Sequence, residues 1–334
     1  MEDALVSAPS NIALIKYMGK SLSGGNRPTN ASVSYTLDNL RTFVKLEQST
    51  HGTDSWSPLA GNGFHSFVMS ERGQKKFLGH LVWLKGVWGV SDQFFHVYSA
   101  NNFPADAGIA SSASSFAALT LAAWQKFGHR GSLAAGQLSS DESHDKNISG
   151  SDLEYLSKLS QKGSGSSCRS FFSPWALWKD EGACGLDLPI KNLLHFVIVP
   201  DISPKKVSSS EAHVRVLQSP RFMGRSARAE LRLQQLLESL KTNNWKSAFE
   251  ICWDEFIDMH ELFETCPEPF GYRTPASARI LSELKSLWET RGDGPIVTMD
   301  AGSSVHVLWR PDQRDIAQSL YRDYSQWTKI WGDL

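Results

Sequence analysis

Gly108 is followed by Ser111, Ser112 and Ser114, at the start of a stretch where Phe116, Leu119, Thr120, Ala123 and Phe127 recur at helical spacing. A glycine lets backbone N–H groups approach a ligand closely. The first N–H groups of a helix lack internal partners and carry the positive end of its dipole, so an anion is stabilised there without a cationic side chain. The hydroxyls of Ser111 and Ser112 add donors for phosphate, and Ser112 is the candidate oxygen ligand for Mg2+. The same pattern suits an ordinary serine-capped helix. It is not a Walker A loop, because the closing Gly-Lys pair is missing.

Three further stretches carry charge beside glycine. Ala8-Pro-Ser-Asn-Ile-Ala-Leu-Ile-Lys-Tyr-Met-Gly-Lys20 ends with Lys16, Tyr17 and Lys20 around Gly19, two ammonium groups and a phenol that can meet a multiply charged anion, or a solvated strand end. Lys162-Gly-Ser-Gly-Ser-Ser-Cys-Arg169 is a second close-approach turn, and its arginine can hold a carboxylate in bidentate fashion or lie on a surface loop. Thr298-Met-Asp-Ala-Gly302 puts Asp300 at a strand end, placed for base chemistry or for an Asx turn.

The elements that must position these residues read as α+β. Ser32 to Leu37 alternates polar and apolar, Asp38-Asn39 supplies a turn, and Thr42 to Leu46 reads as the return strand of a hairpin. Gly24-Gly25 and Pro28 mark a loop before it, and His51 to Gly63 reads as another loop. Phe95 to Tyr98 is a strand, and a capping pattern at Ser151 to Glu154 starts a helix with Leu153, Leu156 and Leu159 on its stripe and Gly163 at its stop. Leu193 to Val199 is a buried strand. Trp245, Phe249, Cys252, Phe256, Met259 and Phe263 mark an amphipathic helix, and Thr274-Pro275 opens another through Ile280, Leu284 and Trp288. Ile296 to Met299 and Val305 to Trp309 are strands, and a last helix covers Gln313 to Tyr324. A boundary falls in Leu186 to Asn192, giving domains 1–188 and 189–334, with helices on one side of antiparallel strands.

Composition narrows the partners. Hydrophobic residues make up 41% and charged residues 21%, a globular mixture. A net charge of −1 argues against a nucleic-acid partner. Met1 to Ser10 lacks a basic region with a long apolar run, and the apolar stretch Phe116 to Trp124 is too short to cross a bilayer. No membrane association is expected, and a cytoplasmic location is. Cys168, Cys184, Cys252 and Cys266 are scattered, without a CxxC pair, which suits reduced thiols.

Together and in this order, Asn11-Ile-Ala-Leu-Ile-Lys-Tyr17, Pro28-Thr-Asn-Ala-Ser32, Asn101-Asn-Phe-Pro104 with Gly108-Ile-Ala-Ser-Ser-Ala113, Gly163-Ser-Gly-Ser166 with Cys168-Arg-Ser170, and Asp300-Ala-Gly302 resemble the diphosphomevalonate decarboxylases, a family of the galactokinase–homoserine kinase–mevalonate kinase–phosphomevalonate kinase (GHMP kinase) superfamily. Ser70-Glu-Arg72, Met259-His260 and Cys266 match more weakly. The resemblance implies a GHMP-kinase-like fold: an N-terminal ATP-binding domain similar to the second domain of ribosomal protein S5, then a ferredoxin-like domain, with the site between them, in a homodimer. It implies ATP and Mg2+ as cofactors and mevalonate 5-diphosphate as substrate. Asp300 would orient or deprotonate the C3 hydroxyl, Lys16 would hold Asp300 ionised or neutralise phosphate charge, and Arg169 with Ser166 would clamp the carboxylate. Tyr17, Lys20, Arg72 and Ser164 would hold the diphosphate. Ser111, Ser112 and Ser114, with the backbone from Gly108 through Ala110, would hold ATP, and Asn30 and Ser32 would line its nucleotide side.

The chain departs from the family pattern at four places. Met18 stands where Trp is usual, and Asp106 where a small neutral residue is usual, which should make it face solvent. Ser303-Ser304 replaces Pro-Asn, and Ala212-His213 replaces Gly-Met. Three alternatives stay open: a mevalonate 3-kinase that stops after phosphorylation, a decarboxylase acting on mevalonate 5-phosphate, and a non-catalytic binding relative.

Overall fold

The alternation at Ser32 opens a single strand, β2 (Ser32–Gln48), which is the spine of the first sheet. The computed structural model describes residues 4–20, 26–65, 68–104, 109, 111–128, 148–201, 203 and 205–334. The expected hairpin does not form: Asp38-Asn39 lies inside β2. Opposite it, β1 (Val6–Ala13) pairs antiparallel with a register shift, Pro9 facing Arg41 and Ser10 facing Leu37. The polar pair therefore marks a bulge, which takes up extra residues on one strand without reversing the chain. Residues 32–37 are buried on both faces, and the clean one-sided alternation lies further along, at 41–47.

The rest of the first sheet follows from β2. Its second half pairs with β4 (Phe95–Asn101), and its first half with β5 (Trp175–Trp178), which pairs in turn with β6 (Ala183–Gly185). Within the stretch expected to be a loop, β3 (Ser55–Pro58) runs parallel to β4, and Trp56 Nε1 donates to Ser99 Oγ at 2.8 Å. Helices α1 (Glu71–Val87), α2 (Ser111–Ala123) and α3 (Gly150–Gly163) pack on this sheet through Phe77, Leu81, Phe116, Leu119 and Leu156. The N-cap of α3 is Ser149 rather than Ser151, its hydroxyl accepting from Asp152 N–H at 3.2 Å. Gly163 ends α3 as expected. A Cβ there would sit 2.1 Å from Phe116 Cδ1, so only glycine lets α3 approach α2 this closely.

The second sheet is antiparallel, ordered β10 (Lys329–Asp333), β7 (Leu194–Val199), β9 (Val305–Trp309), β8 (Ile296–Thr298). Its helices are α4 (Ser209–Arg215), α5 (Arg225–Lys241), α6 (Trp245–Glu264), α7 (Pro275–Arg291) and α8 (Arg314–Ser325). The expected stripe of α6 is buried from Trp245 to Phe263, and Thr274 caps α7 through a capping box. The core of this half also takes in Ile12, Val33, Tyr35 and Trp175 from the first sheet, so the two sheets share apolar packing. All four cysteines are free thiols. No helix among the described residues is long and apolar enough to cross a membrane.

Candidate active site

The segment after β1 leaves the sheet through Leu14 and Ile15, whose N–H groups both donate to Val33 C=O, and delivers Lys16 to the junction of the two sheets. Its backbone is held from three sides. Lys16 N–H donates to Glu255 Oε1 at 2.9 Å, while its carbonyl accepts from Asn30 Nδ2 at 3.1 Å and from Arg225 Nη2 at 3.4 Å. Glu255 is itself paired with Arg225 and Arg232. The Lys16 ammonium then meets Asp300 Oδ1 at 2.6 Å, with the lysine side chain 2% exposed and the aspartate 32%.

Asp300 follows β8, and His260 on α6 contacts its backbone carbonyl at 3.2 Å through Nε2. Burial would raise the Asp300 carboxyl, but Lys16 first, then His306 and Arg169, outweigh it and hold it below its ordinary range. The Lys16 ammonium is pulled down from its usual value by burial, against the opposing pull of Asp300. The two shifts differ in origin: the lysine is sealed in protein, whereas the aspartate keeps access to the cavity. The result is an ionised carboxylate with one oxygen on an ammonium.

Arg169 sits on the turn Gly165–Phe171 after α3. Its Nε donates to Asn11 Oδ1 at 3.1 Å, its Nη1 donates to Ser32 Oγ at 2.7 Å, and its guanidinium lies over the Trp178 ring. Asn11 also ties the turn down, donating to Ser170 Oγ at 2.8 Å and Ser166 C=O at 3.2 Å. Nη2 has no hydrogen-bond partner among the described residues. The arginine is thus fixed along two edges and offers the third.

These groups line one cavity of about 490 Å³, together with Tyr17, Lys20, Ser111, Ser112, Ser164 and Ser166. Lys20 Nζ donates to Asn26 Oδ1 at 2.8 Å, and Asn26 Nδ2 reaches the carbonyls of Gln161 and Lys162 at 2.9 and 3.0 Å. Asn26 does so in the left-handed region, at φ 58°, which Asn tolerates. Burial pushes the Tyr17 phenol up, so it stays a neutral donor.

Other expected residues lie elsewhere. Ser114 is buried, with its hydroxyl within 2.6 Å of Thr42 Oγ1, and does not line the cavity. Asn30 and Ser32 sit beneath the site, spent on Lys16 and Arg169 rather than on a nucleotide surface. Arg72 is exposed in the first turn of α1 and does not line the cavity; Lys76, one turn on, does. Gly108, Ala110 and Asp106, like Gly24-Gly25, lie outside the described residues. Met18 lines the cavity, whereas Ser303 and Ser304 do not.

Several contributors were given no role in the sequence reading: Asn26, Lys76 and Glu255, and also Asn11 and His260, which lie in stretches quoted for the resemblance. Two had a visible signal. Glu255 and His260 occupy the apolar face of the α6 stripe, where a polar side chain needs a partner.

A cavity that gathers an ionised carboxylate, a buried ammonium, an open guanidinium edge and a serine-bearing helix start is the site of an enzyme acting on small anionic molecules. The chain belongs to the diphosphomevalonate decarboxylase-like family, whose N-terminal domain model matches residues 8–187. It is 44% identical to a mevalonate diphosphate decarboxylase from Legionella pneumophila, whose crystal structure matches with a TM-score of 0.86 over 98% of this chain and 99% of that one. A structure described as MDDEF in complex with MVAPP, AMPPCP and magnesium is 27% identical, with a TM-score of 0.81 over 98% of this chain and 96% of that one. The diphosphomevalonate decarboxylase of Candida albicans is 27% identical, across 96% of this chain and 88% of that protein. The mixed α and β architecture is accordingly the GHMP type.

Proposed function

We propose that this chain catalyses the ATP-dependent decarboxylation of mevalonate 5-diphosphate to isopentenyl diphosphate, releasing ADP, phosphate and CO2. The observation that carries the reading is the Lys16–Asp300 pair facing the same cavity as Arg169, whose Nη2 has no partner among the described residues. One arrangement addresses a hydroxyl and the other a carboxylate, and the proposed substrate presents both.

Hydroxide is a poor leaving group and phosphate a good one. Asp300 accepts the proton of the C3 hydroxyl as that oxygen attacks the terminal phosphorus of ATP and the bond to ADP breaks. The C3–O bond then breaks with its electron pair going to phosphate. The C1–C2 pair becomes the C2=C3 double bond, and C1 departs as CO2. A tertiary alcohol is a weak acid and phosphoryl transfer has a loose transition state, so Asp300 acts chiefly by orienting the oxygen.

Lys16 keeps Asp300 ionised. Arg169 and Ser166 hold the C1 carboxylate so that its bond to C2 lines up with the departing phosphate. Tyr17, Lys20 and Ser164 hold the diphosphate, with Lys76 in the role first given to Arg72. Ser111 and Ser112, at the start of α2, hold the ATP phosphates.

The donor set suits magnesium carried in by nucleotide. The cavity offers the hydroxyl oxygens of Ser111 and Ser112, the hard donors that Mg2+ takes beside phosphate. Ser112 would supply an oxygen ligand to Mg2+, which would neutralise charge on the phosphates. The solved relative with MVAPP, AMPPCP and magnesium supports this pairing of ligands.

Residues 1–188 are assigned to an ATP-binding domain similar to the second domain of ribosomal protein S5, and 189–334 to a ferredoxin-like domain. The division is supported by the first sheet ending at Gly185 and the second beginning at Leu194. A homodimer is proposed from the family resemblance, and sedimentation equilibrium tests it.

The test of the reaction is incubation with ATP, Mg2+ and mevalonate bearing zero, one or two 5-phosphates, with ADP and CO2 measured separately. Both products from the diphosphate alone are expected. ADP without CO2 would mean a kinase, and preference for the monophosphate would reassign the substrate.

A further inference from the structure

His213 is one of the positions where the chain leaves the family pattern, and it lies in the working cavity. It is carried by α4 and lines the same space as Lys20 and Lys76. Its ring centroid is 4.4 Å from that of Tyr17, and Nδ1 accepts from Gly19 N–H at 3.1 Å. Gly19 holds φ +94°, so this contact pins a turn that a side chain would strain. An imidazole whose Nδ1 accepts a hydrogen bond carries its proton on Nε2. That Nε2–H has no partner among the described residues, and it is not among the buried polar atoms sealed without one. The ring is fixed on one edge and packed at a 40° tilt against Tyr17, with a donor that has no partner among the described residues, beside two ammonium groups.

Resting on the decarboxylase reading above, we propose that His213 is a substrate-binding residue that favours the diphosphate, its neutral Nε2–H donating to the phosphate held by Lys20 and Lys76. Burial first, then those two lysines, push its pKa down to about 3. The ring therefore adds a hydrogen bond without adding a third positive charge to a crowded corner. The methionine of the family pattern has no proton to give.

Two replacements separate binding from positioning. In His213→Asn the side-chain oxygen matches Nδ1 and can hold Gly19, but nothing reaches the place of Nε2. In His213→Gln the amide matches Nε2 and can donate, but Gly19 loses its acceptor. Calorimetric titration of the full chain with mevalonate 5-diphosphate, and with inorganic pyrophosphate as a probe, reads the difference. His213→Asn is expected to weaken both by about tenfold, as for one hydrogen bond to a charged group, with His213→Gln weakened less. Wild-type affinity in His213→Asn overturns the assignment, and so does a larger loss in His213→Gln, which makes the residue a support for Gly19 alone. Failure of the wild type to bind either anion also overturns it. CO2 release by the wild type, run in parallel, tests the decarboxylase reading separately: binding in the expected order without CO2 sinks that reading and leaves His213 as an anion donor.

Discussion

At the scale of single residues the site is built on one short contact, Lys16 Nζ to Asp300 Oδ1. Because Asp300 is held below its ordinary 3.8, its carboxylate persists to lower pH than a free one and is lost as pH falls through the lower folded value. The pair's contribution to stability and the ability to accept a proton fade over that same acid window. Lys16→Met removes the chief cause, leaving burial to push the carboxyl up, so the acid limb of the kcat profile should move to higher pH. An unmoved limb would show that Lys16 does not set the ionisation of Asp300. Arg169→Lys tests the clamp. Lysine keeps the charge but cannot bond Asn11, Ser32 and a carboxylate from one planar group. Turnover should fall by about 10²-fold, in line with a misplaced reacting group, while ATP affinity measured by titration changes little. Parallel loss of ATP binding would place Arg169 on the nucleotide.

At the scale of elements, α6 sets the spacing of the site. Glu255 takes the N–H of Lys16, and His260, further along the same helix, contacts the carbonyl of Asp300. One rigid element therefore positions both ends of the pair. Glu255→Ala would strand Arg225, which is fully buried, and loss of one partner of a buried pair costs about 3–5 kcal/mol. An unfolding free energy from urea titration lowered by that amount is expected, and a loss below about 1 kcal/mol would mean that Arg232 and Asp258 carry the network without Glu255. The helix itself was legible because its apolar residues recur at 3.6, as were α7 and β9. What pattern reading missed has physical causes. Helix α1 is punctuated by Gly73, Gly79 and Gly86, so it shows no clean apolar stripe, while the stripe of α5, Ala229, Leu233, Leu236 and Leu240, is thinly set among Arg, Glu and Gln side chains. In β2 the Asp38-Asn39 signal was real, but a bulge absorbs polar residues as readily as a turn does.

At the scale of the molecule, the site exists only because distant pieces of chain meet. Lys16 and Asp300 are 284 residues apart in sequence, and Lys16 and Glu255 are 239 apart. Each stretch was visible as a motif: a lysine beside glycine, an arginine after Gly-Ser-Gly-Ser, an aspartate before Ala-Gly. No local pattern states that they converge; resemblance to a family supplied that expectation. Side-chain direction was beyond it, which is why Ser114 points into the core and Lys76 rather than Arg72 reaches the cavity. The shared core fixes the two sheets against each other and keeps the convergence in place. The claim that hydroxyl and carboxylate are handled at one centre is tested most directly by the ratio of CO2 to ADP formed from mevalonate 5-diphosphate in wild type and Asp300→Asn. One CO2 per ADP is expected in the wild type, with both falling together, by about 10²-fold or more, in the variant. ADP formed without CO2 in the wild type, or near-normal CO2 release in Asp300→Asn, would contradict the account.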